Sequence, residues 1–129
     1  MSRTLSQERA DFALKVIKKY EKEHNAREYS SIIKRLPAMI LQNGLGQSIA
    51  FLLAKSKDNK GNPQPQGFVY QDLSKWIIDR VYKEPSKGLI DHIISNNSRK
   101  YQQAQYEALA LLNWMKKFAD AFLPKEGGE

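Results

Sequence analysis

The chain contains no cysteine. Disulfides, thiolate zinc sites and a cysteine nucleophile are therefore excluded, and the absence fits a reducing compartment such as the cytoplasm. Histidine occurs only at His24 and His92. Neither has a second histidine or a carboxylate at ligand spacing on one helical face, so no metal centre is expected and both read as surface or structural residues. Long apolar runs are scarce too. Leu36–Ala54 is uncharged over 19 residues, close to spanning length. Pro37, Gln42, Asn43, Gly44, Gly46 and Gln47 interrupt it, and polar groups at mid-bilayer are costly, so it reads as two buried helical pieces rather than a membrane span. Met1–Ala10 is polar and charged, unlike a secretory signal.

Catalytic constellations are missing as well. The carboxylates are scattered, with no pair set in apolar surroundings that would split their pKa values. Asn43-Gly44-Leu45-Gly46 lacks the preceding strand and the following Lys-Ser or Lys-Thr of a phosphate-cradling loop. Neither an enzyme nor a cofactor is expected.

What the chain does have is helical periodicity and positive charge. Its 129 residues suit one domain, 1–129, able to bury its own core. Thr4 and Gln7 read as a capping box opening a first helix, whose stripe of Leu5, Phe12, Val16 and Tyr20 runs to about Glu23–His24. Asn25 and Glu28 read as a second box, opening a helix over 26–35. Pro37 suits the first turn of a new short helix, and Asn43-Gly44 stops it. A helix over 45–55 is apolar nearly all round, which predicts burial on most sides. Residues 56–67 form a long, flexible loop. Helices then follow over 70–82 and around Leu89–Ile94. The longest runs over 99–123, capped by Ser98, and leaves a frayed tail at 125–129. No alternation suggests a sheet, so the fold class is all-α, a compact bundle of about six helices.

Lysine and arginine number 21 against 14 acidic residues, a net charge of +7. Such a balance points to an anionic partner, most commonly nucleic acid; a solvated basic surface is the alternative. Lys15, Lys18, Lys19 and Lys22 recur at three, four and seven, making one stripe on the first helix. Lys34 and Arg35 close the second helix. Arg99 and Lys100 open the last, where cations oppose the helix dipole, and Lys116 and Lys117 lie farther along it. Most aromatic residues fall on core stripes, with Tyr101, Tyr106 and Trp114 as candidate exceptions. The pattern argues for backbone contact with little base preference.

Two segments carry a resemblance. Leu36-Pro37-Ala38-Met39-Ile40-Leu41-Gln42-Asn43-Gly44-Leu45-Gly46-Gln47-Ser48-Ile49-Ala50-Phe51-Leu52 is one. Tyr101, Ala104, Glu107-Ala108-Leu109-Ala110-Leu111-Leu112 and Trp114-Met115-Lys116-Lys117-Phe118-Ala119 are the other. In this order and length they resemble the small helical subunit of type III-B CRISPR effectors, the Cmr complex. The resemblance implies a non-catalytic ribonucleoprotein subunit in antiviral defence. Copies of it would stack into a short filament, beside other subunits, along the channel where guide RNA pairs with target RNA. Lys15, Lys18, Lys19, Lys22, Lys34, Arg35, Arg99, Lys100, Lys116 and Lys117 are then candidates for a basic wall that screens phosphate repulsion. Gln42, Asn43 and Gln47 either anchor the helix corner by hydrogen bonds or face a subunit interface.

Two rivals stand beside this reading. A helix-turn-helix DNA-binding regulator would use 32–55, but 45–54 offers only Gln47 and Ser48 to base edges. A helical protein–protein interaction module would keep its lysines for solubility alone.

Overall fold

A computed structural model describes residues 2–125, and the expected tail at 125–129 lies outside them but for Lys125. Among the described residues six α-helices make up the fold: α1 (Leu5–Lys19), α2 (Ala26–Asn43), α3 (Leu45–Ala54), α4 (Pro65–Ile77), α5 (Leu89–Ser95) and α6 (Ser98–Phe122). A π-helical turn, Ile78–Tyr82, extends α4. The class is all-α, and no named strand occurs among the described residues.

The long α6 is the axis of the bundle. Ala104, Ala108, Leu111, Leu112, Met115 and Ala119 recur at helical spacing and are all buried. This face packs chiefly on α1 and α2. Each large apolar side chain so buried contributes about 1.5–3 kcal/mol before entropy is charged against it. The opposing faces supply Ala13, Val16 and Ile17 from α1, and Tyr29, Ile33, Leu36 and Ile40 from α2. Leu73, Trp76 and Ile77 of α4 close the core from the other side.

The helix ends test the capping signals one by one. Thr4 and Gln7 form the reciprocal capping box: the Gln7 amide donates to Thr4 Oγ1 and the Thr4 amide to Gln7 Oε1. Asn25 holds the N-cap position of α2, but its φ/ψ of −100°/16° is not the extended geometry of a side-chain cap, and its Oδ1 is buried without a partner. Asn97, not Ser98, caps α6, accepting from the Lys100 amide at 2.9 Å.

Three boundaries differ from the sequence reading. α1 stops at Lys19, and residues 20–25 form turns rather than a further helical turn. α2 runs unbroken through Pro37 to Asn43. The proline forfeits one ladder hydrogen bond, but the continuous buried stripe Tyr29-Ile33-Leu36-Ile40 outweighs it. α4 begins at Pro65, where proline suits a first helical turn, so the connection shortens to 55–64. There Asp58 gathers the amides of Lys60 and Asn62, and Lys57 bridges Pro63.

Gly44, at φ +87°, lets the chain turn from α2 into α3 at once. α3 is not buried all round. Leu45, Ser48, Ile49 and Leu52 face inward, while Ala50, Phe51 and Ala54 are exposed. Its apolar exterior is surplus to this fold's core. Ile94 of α5 likewise points to solvent, at 75 % exposure. Among the described residues no helix is long and apolar enough to cross a membrane.

Candidate nucleic-acid interface

The expected lysine stripe is divided by the end of α1. Lys22 sits in the turn beyond the helix and so leaves the register of Lys15, Lys18 and Lys19. The other three have carboxylate neighbours. Lys15 Nζ lies 2.9 Å from Asp11, Lys19 Nζ 3.3 Å from Asp72 and Lys18 Nζ 3.6 Å from Glu21. Lys18 also lies over the Phe122 ring, 3.9 Å from its centroid. The hydrogen bond from Lys15, with that from Arg3, holds the Asp11 carboxyl below its ordinary value. Part of the stripe's positive charge is thus answered within the protein.

Two of the other candidates also have structural work. Lys34 Nζ is 2.7 Å from Asp120, tying α2 to α6, and its hydrogen bond lowers the Asp120 pKa. Lys100 Nζ donates to the Val81 carbonyl at 2.9 Å, joining α6 to the π-helical turn. Arg35, Arg99, Lys116 and Lys117 are exposed, Lys117 reaching Asn113 at 3.3 Å.

Arg99 and Lys100 open onto a cleft of about 670 Å³ between α1, the π-helical turn and α6. No local pattern pointed to the partners gathered there, Arg9, Arg80 and Lys83, which are distant from Arg99 in the chain. Arg9 grips Glu107 of α6 with Nε at 3.0 Å and Nη2 at 2.7 Å, and Trp76 Nε1 donates to the same carboxylate at 2.9 Å. Burial pushes Glu107 up, but the hydrogen bonds from Arg9 and Trp76 outweigh it and hold the carboxyl below its ordinary range. The same pairing raises the Arg9 pKa. Arg80 pairs with Glu8 and stacks over Trp76. Lys83 and Arg99 have no ion-pair partner among the described residues.

Lys83 is the only described non-glycine residue at positive φ, 58°. Its amide reaches back 2.6 Å to the Ile78 carbonyl and closes the π turn. Left-handed backbone at a lysine costs on the order of 1 kcal/mol, and both π turns and such strain concentrate at functional sites. Tyr106, 62 % exposed, stands on the cleft wall beside Gln102 and Gln103.

The α2–α3 corner is anchored from elsewhere than expected. Gln42, Asn43 and Gln47 are not buried, and their side chains make no hydrogen bond among the described residues. The free amides at the head of α3 are met instead from α6: Leu45 N–H donates to Gln105 Oε1 at 3.0 Å and Gly46 N–H to the Tyr101 hydroxyl at 2.9 Å. Beside this corner Leu41 is 71 % exposed. His24 is exposed; His92 is buried and bonds the Glu84 carbonyl at 2.6 Å through Nε2. No group of three or more metal-ligating side chains occurs among the described residues.

The protein is thus a small basic helical bundle with an arginine and a lysine that lack ion-pair partners among the described residues on a polar cleft. A family model described as "CRISPR-associated protein (Cas_Cmr5)" matches residues 5–122. The chain is 30 % identical to the CRISPR system Cmr subunit Cmr5 of Thermotoga maritima, over 98 % of this chain and 91 % of that one. It is 27 % identical to the Cmr subunit Cmr5 of Thermus thermophilus, over 94 % of this chain and 97 % of that one. The crystal structure of a CRISPR-associated Cmr5 family protein from Thermus thermophilus superposes with a TM-score of 0.75 at 26 % identity, covering 94 % of this chain and 98 % of that one. The chain belongs to the Cmr5 family.

Proposed function

We infer that the protein is a non-catalytic, RNA-contacting small subunit of a cytoplasmic type III-B CRISPR interference complex. Its partners are the other subunits, further copies of itself stacked in a short filament, and the guide and target RNA. The observation that carries the RNA contact is the cleft in which Lys83 and Arg99 stand unpaired beside exposed Tyr106. Cations without internal partners release counterions when they meet phosphate, which favours binding without reading sequence. Lys116, Lys117 and Arg35 extend the basic surface; Lys15, Lys18, Lys19, Lys22, Lys34 and Lys100 add to its long-range field even where paired. Leu41, next to Gln42 and Asn43 in the chain, and Phe51, one helical turn from Gln47, are exposed apolar side chains beside polar ones, each suited to contact with a neighbouring subunit.

The helix-turn-helix reading is disfavoured by the head of α3, whose amides are capped by Tyr101 and Gln105 and so are covered by α6. The test is a salt titration of single-stranded RNA binding by the wild type and by Lys83→Glu/Arg99→Glu. The variant should bind more weakly, with the log–log salt slope reduced by about 0.7 for each phosphate it no longer neutralises. Equal affinity and equal slope would remove the cleft from the RNA path.

A further inference from the structure

A second concavity, also about 670 Å³, adjoins the basic cleft across the π-helical turn. Its floor is apolar: Tyr70 and Ile78 of α4 and its extension, Pro85 of the following loop, and Leu89 of α5. Gly88 leaves room for the Tyr70 hydroxyl, since a Cβ there would lie 3.3 Å from it. That hydroxyl has no hydrogen-bond partner among the described residues, and Gln71 and the Asp79 carboxylate stand at the rim. Lys83 borders both concavities.

The geometry points to this groove as a pocket for a nucleobase turned out of the single strand that lies in the neighbouring cleft. The inference rests on the RNA reading above. Several features select this occupant. The groove is roomy enough for a nucleoside, within the roughly 300–1,000 Å³ usual for ligand sites, and combines apolar walls with a few free polar groups. The lining charges balance, Asp79 and Glu84 against Lys75 and Lys83, so the groove interior offers no net positive charge to a phosphate, while its carboxylates can accept from the amino group of a base. Lys83, held in its left-handed conformation where the two concavities meet, is placed for the phosphate between a base in the groove and the strand in the cleft. Binding would then depend on bases as well as phosphates.

The experiment compares a single-stranded RNA 12-mer with an abasic 12-mer of equal phosphate count on the full chain at low salt. The wild type should prefer the intact strand by about tenfold, in the range that one base contact supplies. Ser74→Leu, which narrows the groove from α4, should erase that preference and leave abasic binding unchanged. Because that variant could fold poorly, the methyl resonances of Ile78 and Leu89 in the wild type give a second readout: they should shift with the intact strand and stay still with the abasic one. Equal binding of both strands by the wild type, with Lys83→Glu/Arg99→Glu still weakening both, overturns the base pocket while the cleft reading stands. Binding of neither strand overturns both. A Ser74→Leu protein that keeps its RNA preference but no longer assembles with partner subunits assigns the groove to a protein side chain instead and overturns the proposal.

Discussion

The Tyr101 hydroxyl on α6 lies 2.9 Å from the Gly46 amide nitrogen at the head of α3. One side chain thus answers a backbone donor that the sharp turn at Gly44 leaves free. Tyr101→Phe removes the acceptor and keeps the ring. An amide stripped of its partner costs about 1–2 kcal/mol, so the melting temperature should drop by roughly 3–6 °C. Thermal denaturation followed by circular dichroism measures it; an unchanged melting point would show that water takes over the amide.

That hydrogen bond also shows where sequence reasoning stops. The α6 core stripe and the Thr4–Gln7 box were legible because both are local: spacing of three and four, or a cap three residues from its partner. The 26–43 helix was misread at Pro37, because a local breaker was overruled by burial of Leu36 and Ile40 on other helices. The lysine stripe lost Lys22 for a related reason. Its spacing holds only while the helix lasts, and α1 ends at Lys19. The cleft was hidden for a topological reason: Arg9, the Arg80–Lys83 turn and Arg99 come from three separate places in the chain, and only the packing of α1 and the π-helical turn on α6 gathers them.

Glu107 gives a prediction in pH. Its carboxylate holds Arg9 twice and Trp76 once, with both side chains of the ion pair mostly buried. Its folded pKa is depressed, so its stabilisation is complete above the ordinary value of 4.5 and is lost as pH falls through the lower folded value. Glu107→Gln should cost about 3 kcal/mol at neutral pH, the low end for breaking a buried pair. It should also flatten the acid limb of the stability profile. Urea melts of both proteins between neutral pH and acid give the comparison, and parallel acid limbs would contradict it.

Tyr20 and Tyr29 act at the other end of the scale. Their rings stack 3.9 Å apart, and both hydroxyls donate to the buried Asp72 carboxylate, at 3.3 Å and 2.8 Å. Burial first, and the neighbouring Asp72 charge second, push both phenols above their ordinary 10.0. A raised pKa means that their contribution is full below about pH 10 and is lost as pH rises from there through the folded values. Ultraviolet titration of tyrosinate should therefore show Tyr20 and Tyr29 ionising only as the helical signal collapses. Ionisation of all six tyrosines in one step with the fold intact would be inconsistent with the buried cluster.

The two groups of cations should separate in RNA binding. Lys15, Lys18 and Lys19 spend part of their charge on Asp11, Glu21 and Asp72, whereas Lys83 and Arg99 have no such neighbour among the described residues. A lysine drawn to phosphate must first leave its carboxylate, and exposed pairs are worth about 0–1 kcal/mol each, so the stripe is weakened as a binding surface without being silenced. Reversing Lys15, Lys18, Lys19 and Lys22 to Glu together should lower affinity at low salt mainly through the long-range field. The deficit should fade as salt rises past about 0.15 M, where the screening length falls to roughly 8 Å. Lys83→Glu/Arg99→Glu acts on the phosphates directly, so its deficit should persist at that salt. Fluorescence anisotropy over a salt series distinguishes the two. A stripe variant with the larger and more persistent deficit would move the RNA path from the cleft to α1.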